Sequence, residues 1–467
     1  MPKNLKTYLR EVYEKLGDEF LYYNDQVDPK YGITGLVEKF EDLGKFPVLY
    51  FSNVKGSNIP VITNIISTEK RAILALDLKS ESNINKISEI YNRQSKVKET
   101  SEAPVQTKVI KNETPLSILP KIYHNELDGG PYISSGLVIL RDLDGKLNMG
   151  IYRIQVFSDN KLGIMTNPHS DANHIISQYR QAAKPLPITI SIGHHPAVYM
   201  AAVTRPSGMG GELELAGGLL GESLRITAAN TVNLPVLTDA ELAIEGVIKD
   251  PAKLVDEGPF GEWPGYYSGT QMVPLIDVTA LSMREHPIYY DIPAARREHL
   301  LLGLFPHEIT VYQRIKADVQ DLVDLYLPFS GSHRAICYLS IAKHNEGQPI
   351  RAGMMAVTAY PSVKIAIVVD NDIDVKNEAQ VLWAVYTRVR SNKQILVIPD
   401  VEAHHLNPST YNENGLSPGN MEVKLVIDAT KPLAGFAKTA KVPFDIKQNI
   451  DISLLKKIDV NIFDLDD

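Results

Sequence analysis

Apolar residues recur at three- and four-residue spacing over Leu5, Tyr8, Leu9, Val12 and Leu16, which predicts an amphipathic helix at the start of the chain. Two β-rich runs follow at 47–54 and 59–66, then two helix-compatible stretches at 69–78 and 83–93. From 94 to 115 the chain is polar and without period, and reads as a connector crossing a surface. Beyond 136 the texture changes: short β-branched runs recur at 136–141, 150–157, 161–166, 186–193, 241–248, 272–283 and 288–291, with a helical stretch near 173–183. Many short strands with few helices predict a split-barrel sheet. A helix-compatible stretch at 311–327 leads into strands at 334–341, 363–370 and 394–399 around a helix at 377–390, an α/β alternation, and the chain ends in a partly apolar tail, 452–463. The expected fold is therefore α+β and α/β, multidomain. It comprises an N-terminal α/β region with its connector (1–115), a central split β-barrel (116–310) and a C-terminal α/β domain with a tail (311–467).

Composition narrows the function. Hydrophobic residues at 44% and charged residues at 22% exclude wholesale disorder. With 48 basic against 56 acidic residues the net charge is −8, a poor match to nucleic acid, where neutralising phosphates drives affinity. The single cysteine, Cys337, excludes an internal disulfide and a cysteine-based zinc site. The chain starts Met-Pro-Lys-Asn-Leu-Lys without an apolar leader, and no apolar run approaches the ~18 residues of a membrane span. A soluble cytoplasmic protein is expected.

Several apparent motifs carry little. Gly208-Met-Gly-Gly211 would need a third glycine where Leu213 stands. Asp370-Asn-Asp372-Ile-Asp374 opens like a calcium loop but has Val375 at its sixth position and Val381 at its twelfth, so a capped strand end is the better reading. The pairs His194-His195 and His404-His405, read as strand neighbours, point to opposite faces and form no chelate. Arg296, Arg297 and His299 could meet a second anionic group or simply be surface charges, and Leu302 and Phe305 could line a pocket or pack in the core.

The informative segment is Asp256-Glu257-Gly-Pro-Phe-Gly-Glu262-Trp-Pro-Gly-Tyr-Tyr267. Two glutamates flank Gly258, Pro259 and Gly261, residues that force a tight irregular backbone able to aim both acids inward. Phe260 and Trp263 beside them would desolvate a glutamate, favour its neutral form and suit it to general acid work. A second segment, Asn148-Met-Gly-Ile-Tyr-Arg153, places an arginine inside an apolar strand pattern. Asn148 and Arg153 lie an odd number apart, so one regular strand would turn them to opposite faces; both serve one site only if Asn148 sits at a strand end or the strand is bulged. The third and fourth segments are Asn167-Pro-His169-Ser170-Asp and Glu212-Leu-Glu-Leu-Ala-Gly.

In this order, Asn-x-Gly-Ile-Tyr-Arg, Pro-His, Glu-x-x-x-Ala-Gly and Glu-Gly-Pro-Phe-Gly-Glu closely resemble the UbiD-type decarboxylases, and the resemblance extends to Ser362-Val-Lys364 and Asp370-Asn-Asp372. It implies a central FMN-binding barrel, a C-terminal dimerisation domain, and the reversible, non-oxidative decarboxylation of an unsaturated or (hetero)aromatic carboxylic acid. The cofactor would be prenylated FMN, which bonds covalently to the substrate. Arg153, Glu257 and Glu262 match the catalytic Glu–Arg–Glu set: Arg153 would orient the carboxylate and set the charge state of Glu257, and Glu262 would deliver the proton that replaces CO2. Part of the family carries aspartate at the last position. Asn148, His169 and Glu212 match the ligands of a divalent metal, usually manganese, that meets the cofactor phosphate; His174 is an alternative to His169. Ile151, Tyr152, Arg153 and Ser170 match cofactor-lining positions, and Lys364 a phosphate contact. Potassium is expected near Glu212. The implied partners are a separate flavin prenyltransferase and a second copy of the chain, as a homodimer or homohexamer. The rival reading is a catalytically silent flavin-binding or assembly protein of the same fold.

Overall fold

The structure is a computed structural model and describes residues 2–79, 83–205, 211–412, 415–416, 421–440 and 442–454. The helix Leu5–Lys15 forms where its periodicity predicts, capped by Asn4, which accepts from the Thr7 N–H while its own N–H donates to the Thr7 hydroxyl. Leu5, Tyr8, Leu9 and Val12 are its buried face. The strands Val48–Phe51 and Val61–Thr63 and the helices Glu69–Ala75 and Ile84–Tyr91 also stand where the pattern puts them. A further helix, Gly32–Asp42, escapes the periodicity because two glycines in its first turn lower its propensity.

The N-terminal sheet runs Phe20–Tyr23, Val48–Phe51, Val61–Thr63, Tyr289–Tyr290, so its last strand is supplied by a distant part of the chain. Glu298 locks the same junction. Its buried carboxylate accepts from the backbone N–H groups of Asn64 (2.6 Å) and Ile66 (2.9 Å) and from the Tyr290 hydroxyl (3.0 Å). The connector crosses the surface as expected but also adds two short strands, Lys98–Glu99 beside Arg225–Ala228 and Lys108–Ile110 beside Gln271–Met283.

The central region holds a ten-stranded sheet whose main path runs Tyr132–Ile133, Ile154–Ser158, Lys161–Ile164, Gln271–Met283, Leu242–Ile248, Leu186–Ile192, Leu137–Arg141, Leu147–Ile151, with every neighbouring pair antiparallel. Among the described residues no pairing joins the two ends, so closure into a barrel is not seen. The predicted strand 150–157 is in fact two. The first stops at Ile151, Tyr152 and Arg153 leave the ladder, and the second, from Ile154, pairs at the opposite end of the sheet. That break frees Arg153 from strand alternation.

The C-terminal sheet has five strands in the order Leu322–Tyr326, Ile336–Ile341, Ile365–Asp370, Met421–Ala429, Ile395–Glu402, with the inner three parallel and both edge strands antiparallel. The stretch 311–327, predicted as one helix, is the end of helix Leu304–Lys316 followed by the edge strand Leu322–Tyr326. Helix Glu378–Arg388 lies as predicted, with Arg388 paired to Asp370 and Asp372 at the strand end, where no calcium loop forms. Gly208 to Gly210 and the tail beyond Leu454 lie outside the described residues.

Glu298→Ala leaves two backbone donors and a buried phenol without an acceptor, and is expected to lower unfolding free energy by roughly 3 kcal/mol. Urea denaturation compared with the wild type measures it.

Candidate active site

The acid loop begins where a strand ends. Leu254–Glu257 pairs with Gln271–Met283, and Glu257 is its last paired residue, opposite Gln271. The chain then turns through Gly258, at φ +94°, a conformation that an L side chain rarely adopts. The Gly258–Pro259 peptide is cis. The loop closes by Gly261 bridging Tyr267 and by the Ser268 N–H donating to the Phe260 carbonyl at 2.9 Å. Gly261 is required by a close approach: a Cβ there would stand 2.3 Å from Asn125 Nδ2.

This loop folds both acids onto one guanidinium. Arg153 Nη2 donates to Glu257 Oε2 at 2.7 Å, and Nη1 donates to Glu262 Oε1 and to the Ser268 hydroxyl, each at 2.8 Å. The guanidinium carbon lies 5.2 Å from the centre of the Phe260 ring. The arrangement expected of these three side chains is therefore present in one cluster, and Ile151 and Tyr152 line the same cavity. The two acids are not equivalent. Glu257 is fully enclosed, and its second oxygen accepts from the Tyr132 hydroxyl at 2.9 Å. The Glu262 side chain keeps 14% of its exposure and opens on the cavity, and its Oε2 has only a 3.4 Å contact from the Trp263 N–H. Burial raises the Glu262 pKa, and the Arg153 charge offsets that in part.

The cavity encloses about 320 Å³. Its far wall comes from helix Arg297–Leu302 through His299 and Leu302, and from the C-terminal domain through Arg334, His404 and His405. The histidine pair at 404–405 corrects the sequence reading. These residues sit in a turn after the strand Ile395–Glu402, so strand alternation does not apply, and their rings stack with centroids 4.5 Å apart. His194 and His195 are buried, and His195 caps helix Pro196–Ala202. Arg296 pairs with Glu38, while Arg297 packs between Phe46 and Phe329 and donates to the Ser67 carbonyl; neither faces the cavity. Leu302 lines it, and Phe305 packs in the core.

The expected metal ligands are partly gathered. Glu212 opens helix Glu212–Leu220, and its Oε2 accepts from the Met149 N–H at 3.2 Å, one residue beyond Asn148. Asn148 Oδ1 is buried without a partner, and burial raises the Glu212 pKa. An unpartnered buried amide oxygen and a carboxylate held one residue away are the oxygen donors a hard cation takes. Among the described residues no three His, Cys, Asp or Glu side chains form a metal cage by themselves. His169 is exposed on its loop, fixed through its backbone to Asn167 and Arg205. His174 is exposed on helix Asp171–Gln181, in contact with Gln178. The Ser170 hydroxyl caps that helix, accepting from the Asn173 N–H and donating to the Asn167 carbonyl. Lys364 lies in the C-terminal domain, where its Nζ donates to the Ser409 hydroxyl, and it does not line the cavity. Sequence reasoning missed Tyr132, Ser268 and Arg334. Each is a lone polar residue in an apolar or turn-rich run, with no spacing signal.

Comparison with known proteins agrees with this geometry. The family profiles described as the N-terminal, Rift-related and C-terminal domains of 3-octaprenyl-4-hydroxybenzoate carboxy-lyase match residues 17–91, 96–297 and 300–429. The phenolic acid decarboxylase of Bacillus subtilis is 31% identical over 90% of this chain and 91% of its own. The anhydromevalonate phosphate decarboxylase of Methanothermobacter thermautotrophicus is 29% identical over 93% of this chain and 99% of its own. The structure of the UbiD-class enzyme HmfF from Pelotomaculum thermopropionicum in complex with FMN superimposes with a TM-score of 0.85, at 30% identity, covering 98% of this chain and 97% of that one. A mixed α/β multidomain fold with a buried Arg–Glu–Glu cluster thus defines a carboxy-lyase class. The chain belongs to the UbiD family of decarboxylases.

Arg153→Gln removes the charge that pairs both buried acids, and is expected to cost about 3 kcal/mol at pH 7. Glu262, whose pKa burial already raises, then loses the charge that lowers it, so the folded state binds more protons than the unfolded chain. The lost stability should therefore return in part as pH falls from 7 to 5. Denaturation midpoints across that range test the sign.

Proposed function

We propose that this chain decarboxylates, reversibly and without net oxidation, an unsaturated or (hetero)aromatic carboxylic acid with prenylated FMN. The observation that carries the reading is the single guanidinium of Arg153 holding both Glu257 and Glu262, with Arg153 and Glu262 lining the cavity. A neighbouring fold, an evolved dimeric form of HmfF, is described in complex with prFMN, at 30% identity and a TM-score of 0.85. Decarboxylation leaves an electron pair on carbon; prenylated FMN, when bound, supplies the electron sink that no side chain offers.

The protein's own groups do the rest. Arg153, whose terminal nitrogens hold the two acids while its Nε–H has no partner among the described residues, keeps a donor with which to meet and orient the scissile carboxylate. Tyr132 and Arg153 together fill both oxygens of Glu257, which fixes its orientation. Glu262 has one oxygen on Arg153 and the other scarcely engaged, so its proton sits on Oε2, from which it passes to the substrate carbon. General acid catalysis of this kind contributes about 10²–10⁴-fold. Phe260 and Trp263, both buried, exclude water from the acid. Asn148 and Glu212 would hold a divalent metal such as manganese. His169, Ser170 and Lys364 are assigned to metal, cofactor and phosphate on the motifs alone, as is potassium near Glu212. A flavin prenyltransferase would supply the cofactor in the cytoplasm. Among the described residues no helix is long and apolar enough to cross a membrane. A homodimer or homohexamer is supported by exposed apolar side chains of the C-terminal region, among them Leu382, Tyr386, Ile450 and Ile452. A silent flavin binder would have no use for a desolvated acid opening on the cavity.

Glu262→Gln is expected to abolish CO2 release from every acid the wild type accepts while the flavin absorbance of the purified protein is retained; turnover within tenfold of wild type would reassign the proton donor. In the wild type kcat should fall as pH rises, because a carboxyl with a raised pKa loses its proton on the alkaline side. Asn148→Ala combined with Glu212→Gln should lower bound flavin and make its retention insensitive to chelator.

A further inference from the structure

Arg334 is the anomaly of the cavity. Among the described residues the three buried arginines all hold carboxylates: Arg71 holds Glu19, Arg153 holds Glu257 and Glu262, and Arg388 holds Asp370 and Asp372; Arg334, half-buried, holds none. Arg334 lines the cavity with its guanidinium carbon 5.2 Å from the Trp263 ring centre, and among the described residues its side chain makes no hydrogen bond or ion pair. It lies over Gly303, where a Cβ would stand 3.3 Å from its Nη2. An indole face attracts a cation but does not satisfy its donors. A half-buried charge with its donors unfilled is costly unless a ligand supplies the acceptor.

Among the described residues no side chain hydrogen-bonds it. Glu262, the acid that lines the cavity, feels its charge but gives its hydrogen-bonded oxygen to Arg153. His299 and His404 are held down near pKa 3, first by burial; the Arg334 charge lowers His299 further, His405 and then Arg334 lower His404, and burial and Arg334 lower His307. These imidazoles are neutral at physiological pH. The cavity therefore holds one arginine whose charge is balanced by hydrogen-bonded acids, Arg153, and a second, Arg334, that no acid pairs among the described residues.

We propose that Arg334 is the counter-ion for a second oxyanion, a carboxylate or a phosphate, carried by the substrate away from the carboxylate that meets Arg153. The inference rests on the decarboxylase reading and narrows it: the substrate is a dianion, and Arg334 selects it against the corresponding monoacid. The planar fork binds either oxyanion through paired N–H donors, and Trp263 and Gly303 hold the fork in place.

The test uses the flavin-loaded enzyme and three probes of one shape: benzoate, terephthalate and 4-phosphonobenzoate, titrated by calorimetry. The wild type should bind at least one dianion about tenfold or more tighter than benzoate. A preference for terephthalate identifies a carboxylate site and a preference for the phosphonate a phosphate site. Arg334→Met should erase the difference between dianion and monoanion, and Arg334→Lys should restore part of it. Equal binding of all three probes to the wild type overturns the proposal, as does a preference that survives in Arg334→Met. Loss of flavin from Arg334→Met at an unchanged melting temperature also overturns it, by assigning the guanidinium to the cofactor phosphate. Should Arg334→Met not fold, the comparison of wild type with Arg334→Lys decides, because a point charge weakens two-point recognition. CO2 release is followed in parallel. A dianion preference without turnover of any acid sinks the decarboxylase reading and keeps the anion site, and turnover without a preference does the reverse.

Discussion

The structure turns on one guanidinium taken out of water. Burying Arg153 would cost several kcal/mol if its donors went unfilled, and the surrounding architecture engages both terminal nitrogens, Nε having no partner among the described residues. The sheet gives up two ladder positions so that Tyr152 and Arg153 can leave strand geometry. The loop after Glu257 bends back through glycines and a proline so that a second acid, five residues on, reaches the other nitrogen. Ser268 takes a remaining donor and Phe260 covers a face. Coulomb attraction in a dry site is strong enough to hold this cluster, and the same dryness makes its two carboxylates behave differently. The one with both oxygens occupied is fixed in place. The one opening on the cavity is pushed toward its neutral form by burial and restrained by Arg153.

That asymmetry needs a rigid frame. The N-terminal sheet borrows its edge strand from Tyr289–Tyr290, and the Glu298 carboxylate is threaded through the backbone of 64–66, so the first and central regions are knit by hydrogen bonds as well as by apolar packing. Glu298 also begins the short helix that carries His299 and Leu302 to the cavity. The C-terminal domain contributes differently. It presents Arg334, His404 and His405 from loops and strand ends against a site built mostly by the central region.

How much of this could be read in advance depended on whether a residue's role left a local trace. Arg153, Glu257 and Glu262 were legible because the glycines and prolines around the acids announce an irregular loop, and because the four motif segments occur in order. The strand break at Tyr152–Arg153 was foreseen only as a condition, since periodicity gives no reason for a strand to stop inside an apolar run. Strand Met421–Ala429 was invisible for a physical reason: Glu422 and Lys424 point inward while Met421 and Val423 point out, which inverts the expected alternation. His404 and His405 were misjudged by applying a strand rule to a turn. Tyr132, Ser268 and Arg334 act through partners far away in the chain, so no window of sequence contains the interaction.

The division of the cavity between two regions has a consequence for how such a protein can change. The Arg153–Glu257–Glu262 cluster and the residues that hold it are confined to residues 132–268, whereas other lining residues of the cavity are drawn from 299–406. Replacements at Arg334, His404 or His405 would reshape what is admitted while leaving the hydrogen bonds of the Arg153 cluster in place. A duplicated gene could drift in clientele through its second half alone, keeping one chemistry while exchanging its guests.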